Sequence, residues 1–257
     1  MQIIIDGNKV ETGESRTVLE AALENGIDIP HLCWHPALEP YGACRVCLVE
    51  VERNGRKRLV TSCTYPLREG LIVHTDTARV KEARKFSLSL LLMLAPDAGK
   101  IRELAEKYDV SPPPSDLPHE PTNCIRCGLC VRVCRELIGA EAIGFVNRGI
   151  DRIPETPFSE DNPVCLSCGA CAYLCPTGKI KVIDRNYREI EIWHKEGELA
   201  VCPECGKRFA PLKQLEEAKK KIENKELREI FDLCPDCRKK KIAEKKLWNK
   251  AITSAGK

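Results

Sequence analysis

The 257-residue sequence carries 41 Lys and Arg against 38 Asp and Glu, a net charge of +3, and is 43% hydrophobic but only 5% aromatic. The length exceeds one ordinary domain, so roughly two to four units are expected, and the scarcity of aromatics suits small modules braced by metal rather than by large cores. The longest apolar run, residues 88–95 with Ser89 interrupting it, is far too short for a membrane-spanning helix.

All 16 cysteines sort into four quartets at metal-site spacing. They are Cys33, Cys44, Cys47 and Cys63; Cys124, Cys127, Cys130 and Cys134; Cys165, Cys168, Cys171 and Cys175; and Cys202, Cys205, Cys234 and Cys237. Thiolates are soft ligands that select iron–sulfur clusters and zinc over calcium or magnesium. An even count also suits a secreted disulfide framework. Against it, residues 1–6 are unlike a signal peptide and the CxxC pairs repeat at metal spacing. A cytoplasmic location is expected.

In residues 1–78, residues 1–5 and 9–11 read as strands about a tight turn at Asp6-Gly7-Asn8. Thr17-Val18-Leu19-Glu20 is a capping box opening a helix that Gly26 closes. After a loop bearing Cys33, residues 46–51, 59–62 and 71–75 supply further strands. That order is the order of a β-grasp ferredoxin. The cysteine spacing C-x10-C-x2-C-x15-C lengthens the first gap of plant-type ferredoxins. Pro30-His31-Leu32-Cys33-Trp34-His35-Pro36, Gly42-Ala43-Cys44-Arg45-Val46-Cys47 and Thr61-Ser62-Cys63 resemble the 2Fe–2S domain that begins the large iron–sulfur subunit of respiratory complex I and many iron-only hydrogenases. Gly42 would let the backbone wrap the cluster. Zinc suits this quartet less, since only Cys44 and Cys47 form a compact pair. His31 and His35 are read as packing or outer-shell groups rather than Rieske-type ligands, and His74, His119 and His194 lack a ligand set.

Residues 79–117 read as a helical connector and a Pro-rich linker. Val80, Ala83, Phe86 and Leu90 mark one helical face, residues 101–108 a second helix, and Ser111-Pro112-Pro113-Pro114-Ser115 a stiff spacer. In the complex I relatives this region carries a further 4Fe–4S site held by one histidine and three cysteines. Here residues 94–101 hold no cysteine, and that cluster is absent.

Residues 118–185 repeat C-x2-C-x2-C-x3-C twice. In two-cluster ferredoxins three cysteines of a run hold one cubane and the fourth reaches the other. Cluster A is therefore expected on Cys124, Cys127, Cys130 and Cys175, and cluster B on Cys165, Cys168, Cys171 and Cys134. Residues 139–149 between the runs resemble the same subunits and the small diaphorase subunit of NAD-reducing hydrogenases; their glycines match neither GxGxxG nor a P-loop, so no nucleotide site is visible.

Residues 190–257 carry two knuckles, Cys202-Pro203-Glu204-Cys205 and Cys234-Pro235-Asp236-Cys237, around a helical, Lys/Glu-rich segment over residues 212–231. Two CxxC pairs suit tetrahedral zinc in a zinc-ribbon-like module. Mononuclear iron, as in rubredoxin, is the alternative, but the aromatics at hand are few, Phe209, Phe231 and Trp193. From Gly206 on there are 16 Lys and Arg against 8 Asp and Glu, and residues 238–250 within that stretch read as a solvated Lys-rich helix that Leu247 and Trp248 would anchor.

The expected fold is thus α+β: a β-grasp 2Fe–2S domain, a helical connector, a two-cluster ferredoxin-like domain and the four-Cys module. The resemblance implies an electron-transfer subunit, without bond-making catalysis, in a hetero-oligomer with a flavin- and NAD(P)H-binding subunit and a distal catalytic subunit of the hydrogenase, formate dehydrogenase or tungsten/molybdenum oxidoreductase type. Plant-type values would put the 2Fe–2S potential near about −400 mV. A free-standing polyferredoxin is the rival reading; a nucleic-acid-binding zinc protein, suggested by the basic tail, is disfavoured by twelve cluster ligands.

Overall fold

The computed structural model describes residues 1–111, 121–159, 162–193 and 195–245. The spacer residues Pro112, Pro113 and Pro114, His119, His194, Leu247 and Trp248 lie outside them.

The chain opens with a hairpin of β1 (Gln2–Ile5) and β2 (Asn8–Glu11). Its turn places Asp6 and Gly7 at φ 49° and 84°, the left-handed pair that a tight two-residue hairpin demands. Helix α1 (Val18–Glu24) starts at the capping box: the Glu20 amide donates to Thr17 Oγ1 at 3.3 Å, and Glu20 Oε2 accepts from the Thr17 amide at 3.1 Å. Next come β3 (Leu48–Arg53), β4 (Arg56–Thr61) and β5 (Ile72–His74), in a sheet ordered β2-β1-β5-β3-β4 with β1 and β5 parallel. Strand β4 begins earlier than its sequence suggests. Asn54 and Gly55 both take positive φ, so the turn closes tightly enough for the exposed residues Arg56, Lys57 and Arg58 to pair with β3. Alternate residues Ile3, Ile5, Val49, Val51 and Val73 meet Val18, Leu19 and Ala22 of α1 in one buried layer.

Helix α2 (Ala78–Leu94) turns a different face inward from the one its pattern suggests. Phe86 and Leu90 are 67% and 45% exposed, while Val80, Arg84, Leu88, Leu91 and Leu92 are buried. The reason is Arg84: its guanidinium donates to the Leu48 carbonyl at 2.7 and 3.1 Å and to the Tyr108 hydroxyl at 2.9 Å. A fully paired charge can be buried, and it turns the helix with it. Helix α3 (Gly99–Lys107) packs back against α2 through Ile101 and Ala105.

Beyond the linker come α4 (Leu129–Val133), which continues into a π-helical turn at Cys134–Ile138, the hairpin of β6 (Gly144–Val146) and β7 (Ile153–Glu155), and α5 (Ala170–Tyr173). Strands β8 (Val182–Asp184), β9 (Tyr187–Ile190), β10 (Lys195–Val201) and β11 (Arg208–Pro211) form one antiparallel sheet. That sheet runs from the second cysteine repeat into the C-terminal module without a break. The helix expected over residues 212–231 is divided into α6 (Leu212–Lys220) and α7 (Lys225–Ile230), because Asn224 caps the second, accepting from the Leu227 amide at 3.2 Å. Helix α8 (Pro235–Lys245) follows. Among the described residues no helix is long and apolar enough to cross a membrane.

One buried cluster joins Leu32, Cys33 and Leu38 of the first unit, Leu88, Leu91 and Ile101 of the connector, and Cys127, Cys130, Val133 and Cys171 of the repeats.

Candidate metal centres

Cys33, Cys44, Cys47 and Cys63 are each no more than 4% exposed. Cys33, Cys44 and Cys47 sit in the loop between α1 and β3, and Cys63 follows β4. Ser62 ties the two sides together, its amide and hydroxyl donating to the Cys47 carbonyl at 3.0 and 2.8 Å. Gly42 holds φ +70°, and a Cβ there would lie 3.1 Å from Thr64 Cγ2, so the close backbone approach needs glycine. The Cys44 amide donates to Cys33 Sγ at 3.4 Å. Hydrogen bonds from the Cys44 and Cys63 thiols pull the Cys33 thiol far down, and the same contacts, with burial, push Cys44 and Cys63 up. Four buried thiols contending for protons in this way can all ionise only against a compensating cation. A cationic iron–sulfur group fits that requirement.

The two repeats share one local geometry. Arg126 and Gly128 in the first, and Ser167 and Gly169 in the second, all have positive φ. A Cβ on Gly128 would lie 3.2 Å from Tyr41, and one on Gly169 3.2 Å from Val182. The left-handed step at Arg126 curls the backbone so that the Arg126 amide donates to Cys124 Sγ at 3.4 Å, and beyond the first run, after Glu141 at positive φ, the Ala142 amide donates to Cys134 Sγ at 3.3 Å.

Cys124, Cys127, Cys130 and Cys175 line one cavity of about 290 Å³, with Lys179 and Ile180. Cys134, Cys165, Cys168 and Cys171 line a second, narrower hollow with Ile190 and Trp193. The last cysteine of each run therefore lies with the first three of the other. Burial pushes the Cys127 and Cys171 thiols up to about 12 and raises those of Cys124, Cys130, Cys134 and Cys165. Such sulfurs ionise only as ligands, which suits both hollows to a metal cluster.

In the C-terminal module the sulfurs of Cys202, Cys205, Cys234 and Cys237 all lie within 4.8 Å of one another. That is the spread of a single four-coordinate ion. Gly206, at φ 71°, closes the first knuckle, its amide donating to the Cys202 carbonyl at 2.9 Å. Backbone amides, that of Cys234 foremost, draw the Cys202 thiol down to about 6. Among the described residues the buried cluster around these sulfurs is Cys202, Leu233 and Cys234, with Phe209 and Cys237 against it.

The described histidines have other partners. His31 Nδ1 lies 2.8 Å from the Ile29 carbonyl and its ring meets Trp34 edge-on; His35 Nδ1 accepts from the Ala37 amide at 3.2 Å; His74 lies 3.4 Å from Glu52. Two residues at the sites carry no sequence signal. Arg132, on α4 between two cysteines, is buried and donates to the Cys33 carbonyl at 2.7 Å and to the Glu39 carbonyl, with its guanidinium 5.3 Å from the Tyr41 ring centre. Trp193, read from sequence as one of the few aromatics near the fourth quartet, instead lines the hollow of Cys134, Cys165, Cys168 and Cys171.

Comparison with known proteins agrees with this architecture. Residues 1–78 match the 2Fe-2S iron-sulfur cluster binding domain, and residues 123–179 the 4Fe-4S dicluster domain. The chain is 31% identical over 231 residues to an NADH-quinone oxidoreductase subunit from Rhizobium meliloti, covering 80% of this chain and 27% of that protein. It is 33% identical over 233 residues to the alpha subunit of NADPH-Fe(3+) oxidoreductase from Geobacter sulfurreducens, covering 80% and 26%. It thus spans about a quarter of the length of these curated relatives. Among solved structures, a chain of an NAD+-reducing NiFe-hydrogenase in the H2-reduced state matches with a TM-score of 0.53 and 31% identity, over 60% of this chain and 74% of that one. With that much of a relative covered at that identity, and both cluster domains matched in order, the chain belongs to the iron–sulfur family that joins a 2Fe–2S domain to a 4Fe–4S dicluster domain, the family of the NAD+-reducing hydrogenase chain and of these oxidoreductase subunits.

Proposed function

We propose that this chain is the electron-transfer subunit of a hetero-oligomeric, cytoplasmic, NAD(P)H-linked oxidoreductase. It would relay single electrons between a flavin- and NAD(P)H-binding subunit and a distal redox catalytic subunit. The observation that carries the reading is the succession of cysteines through one buried core. Cys33 of the first quartet shares that core with Cys127 and Cys130 of the first repeat and Cys171 of the second, which supports a path through all three groups. The printed names of the relatives, an NADH-quinone and an NADPH-Fe(3+) oxidoreductase and an NAD+-reducing hydrogenase, support the partners.

In this reading Cys33, Cys44, Cys47 and Cys63 hold one 2Fe–2S cluster. Cys124, Cys127, Cys130 and Cys175 hold 4Fe–4S cluster A, and Cys134, Cys165, Cys168 and Cys171 hold cluster B. Cys202, Cys205, Cys234 and Cys237 hold one zinc in a zinc-ribbon-like module. The domains are residues 1–78, 79–117, 118–185 and 190–257. The clusters supply reversible one-electron storage at low potential, and the chain's residues set their order, exclude water and hold them at fixed separation.

The test is NADH-driven reduction of the 4Fe–4S centres in the native complex, with and without Cys44→Ser. The isolated chain is expected neither to oxidise NADH nor to reduce NAD+, and the substitution is expected to interrupt reduction in the complex. NADH oxidation by the isolated chain overturns the relay. Purification as a monomer free of any flavoprotein supports the free-standing carrier instead.

A further inference from the structure

Trp193 ends a single 3-10 turn, Glu191–Trp193, and is 3% exposed. Its indole Nε1 is buried and makes no hydrogen bond to any described protein atom. A buried donor left unmade costs about 1–3 kcal/mol. A purely apolar side chain would carry no such cost, so a buried indole without a protein partner calls for an acceptor in the hollow it lines. The ring lies in the wall of the hollow lined by Cys134, Cys165, Cys168 and Cys171, so sulfur is the acceptor these surroundings offer its N–H.

The fold also holds the ring in place. Strands β9 and β10 flank it, and β10 lies so close to the second cysteine loop that a Cβ on Gly197 would sit 2.5 Å from Ser167 Cβ. The cavity of Cys124, Cys127, Cys130 and Cys175 has Ile125, Phe145, Ile180 and Ile192 in its wall and no indole among its lining residues. There the side-chain hydroxyl of Thr177 lies 3.4 Å from Cys175 Sγ, and an indole donor is found among the lining residues of the second site alone.

We propose that Trp193 is a positioning residue for cluster B: its indole N–H donates to sulfur at that site and raises the reduction potential of cluster B. The inference rests on the ligand assignment proposed above. A hydrogen bond to sulfur stabilises the more negative, reduced form, so it favours gain of the electron. Gain of an electron at that site would make and break no bond, and the indole would keep its proton throughout.

The experiment uses the anaerobically purified full chain, with iron counted and each centre titrated by dithionite under paramagnetic resonance. Cluster B is identified as the signal lost in Cys165→Ser. In Trp193→Phe with full iron, the ratio of reduced to oxidised cluster B at a fixed potential should fall roughly three- to tenfold, tenfold being about 59 mV for one electron. Cluster A and the 2Fe–2S centre should not move. Unchanged titration of B with full iron overturns the proposal. If the variant fails to hold iron, wild-type chain labelled with indole-15N tryptophan decides: nitrogen and exchangeable-proton couplings on reduced cluster B support the proposal, and their absence overturns it. A wild-type chain with no second 4Fe–4S signal would sink the ligand assignment itself, which is a separate result.

Discussion

Arg132→Met tests whether the first unit and the dicluster unit are braced by one side chain. Methionine keeps the apolar stem that Arg132 buries in α4 and removes only the guanidinium. That group makes two charge-assisted bonds, to the Cys33 carbonyl at 2.7 Å and to the Glu39 carbonyl, and lies over Tyr41. Glu39 is exposed and its carbonyl can take water instead, whereas Cys33 is 1% exposed and its carbonyl cannot. The stranded carbonyl costs about 1–3 kcal/mol, and the lost cation–π contact about 0.5–2. Together these come to about 1.5–5 kcal/mol, or about 3–20 °C in the midpoint for a chain of this size. Visible circular dichroism of the 2Fe–2S chromophore during anaerobic heating is the assay, because Cys33 lies at one end of the brace. Arg132→Lys should recover only part of the loss, since one ammonium does not reproduce the planar fork that spans two carbonyls. A midpoint unchanged within about 2 °C in Arg132→Met would refute the brace.

Cys175→Ser should perturb the same 4Fe–4S paramagnetic signal as Cys124→Ser, because both sulfurs line one cavity; grouping with Cys165→Ser would sink the crossed assignment. Gly197→Ala should distort the second cysteine loop, since its Cβ would meet Ser167 Cβ at 2.5 Å and Oγ at 2.6 Å, an overpacking of about 1–3 kcal/mol. The expected result is a broadened or lost cluster B signal that Ser167→Gly restores, and an unaltered signal in Gly197→Ala alone refutes the contact. Elemental analysis should find about ten irons and one zinc, and chelating the zinc should unfold α6 and α8, read as lost amide protection, because the module's own core is so small. Iron near about fourteen would mean a fourth cluster, and about eleven irons without zinc a rubredoxin-like centre.

Features set by neighbours in sequence are the ones legible from it. The Asp6-Gly7 turn and the Thr17–Glu20 capping box need only their own residues, and both stand where their pattern puts them. The spacing within each CxxC pair and each four-cysteine run is local in the same way, whereas the grouping of Cys134 with Cys165 and of Cys175 with Cys124 in one hollow joins residues far apart in sequence. Features set by distant partners are not. Helix α2 turns Phe86 and Leu90 outward because Arg84 finds acceptors at Leu48 and Tyr108, 36 and 24 residues away, and hydrophobic periodicity cannot register a buried, satisfied arginine. Arg132 reads as an ordinary helix-surface charge until Cys33, 99 residues distant, is folded against it. Trp193 stands nearest the fourth quartet in sequence, whereas the turn between β9 and β10 delivers it to the second 4Fe–4S hollow.

The same distant contacts explain how so few aromatic and large apolar residues can hold four metal-binding loops. A module of about fifty or sixty residues seldom buries enough surface to stand by itself. Here the loops share walls: Cys33 and Leu38 pack into the same cluster as Cys127, Cys130 and Leu88, and β10 leaves the second hollow to end beside Cys202. Each metal group that forms therefore fixes a surface its neighbour needs. Shared walls also keep water out, which strengthens every fixed charge and dipole within them. The first cavity has Arg126 and Lys179 at its rim. The second has buried Lys195 acting on Cys165, Arg188 donating to the Cys168 carbonyl at 3.3 Å, and the Trp193 indole besides. Positive groups beside both hollows favour acceptance of an electron there, so the packing that braces the small modules also keeps those charges close to the sulfurs.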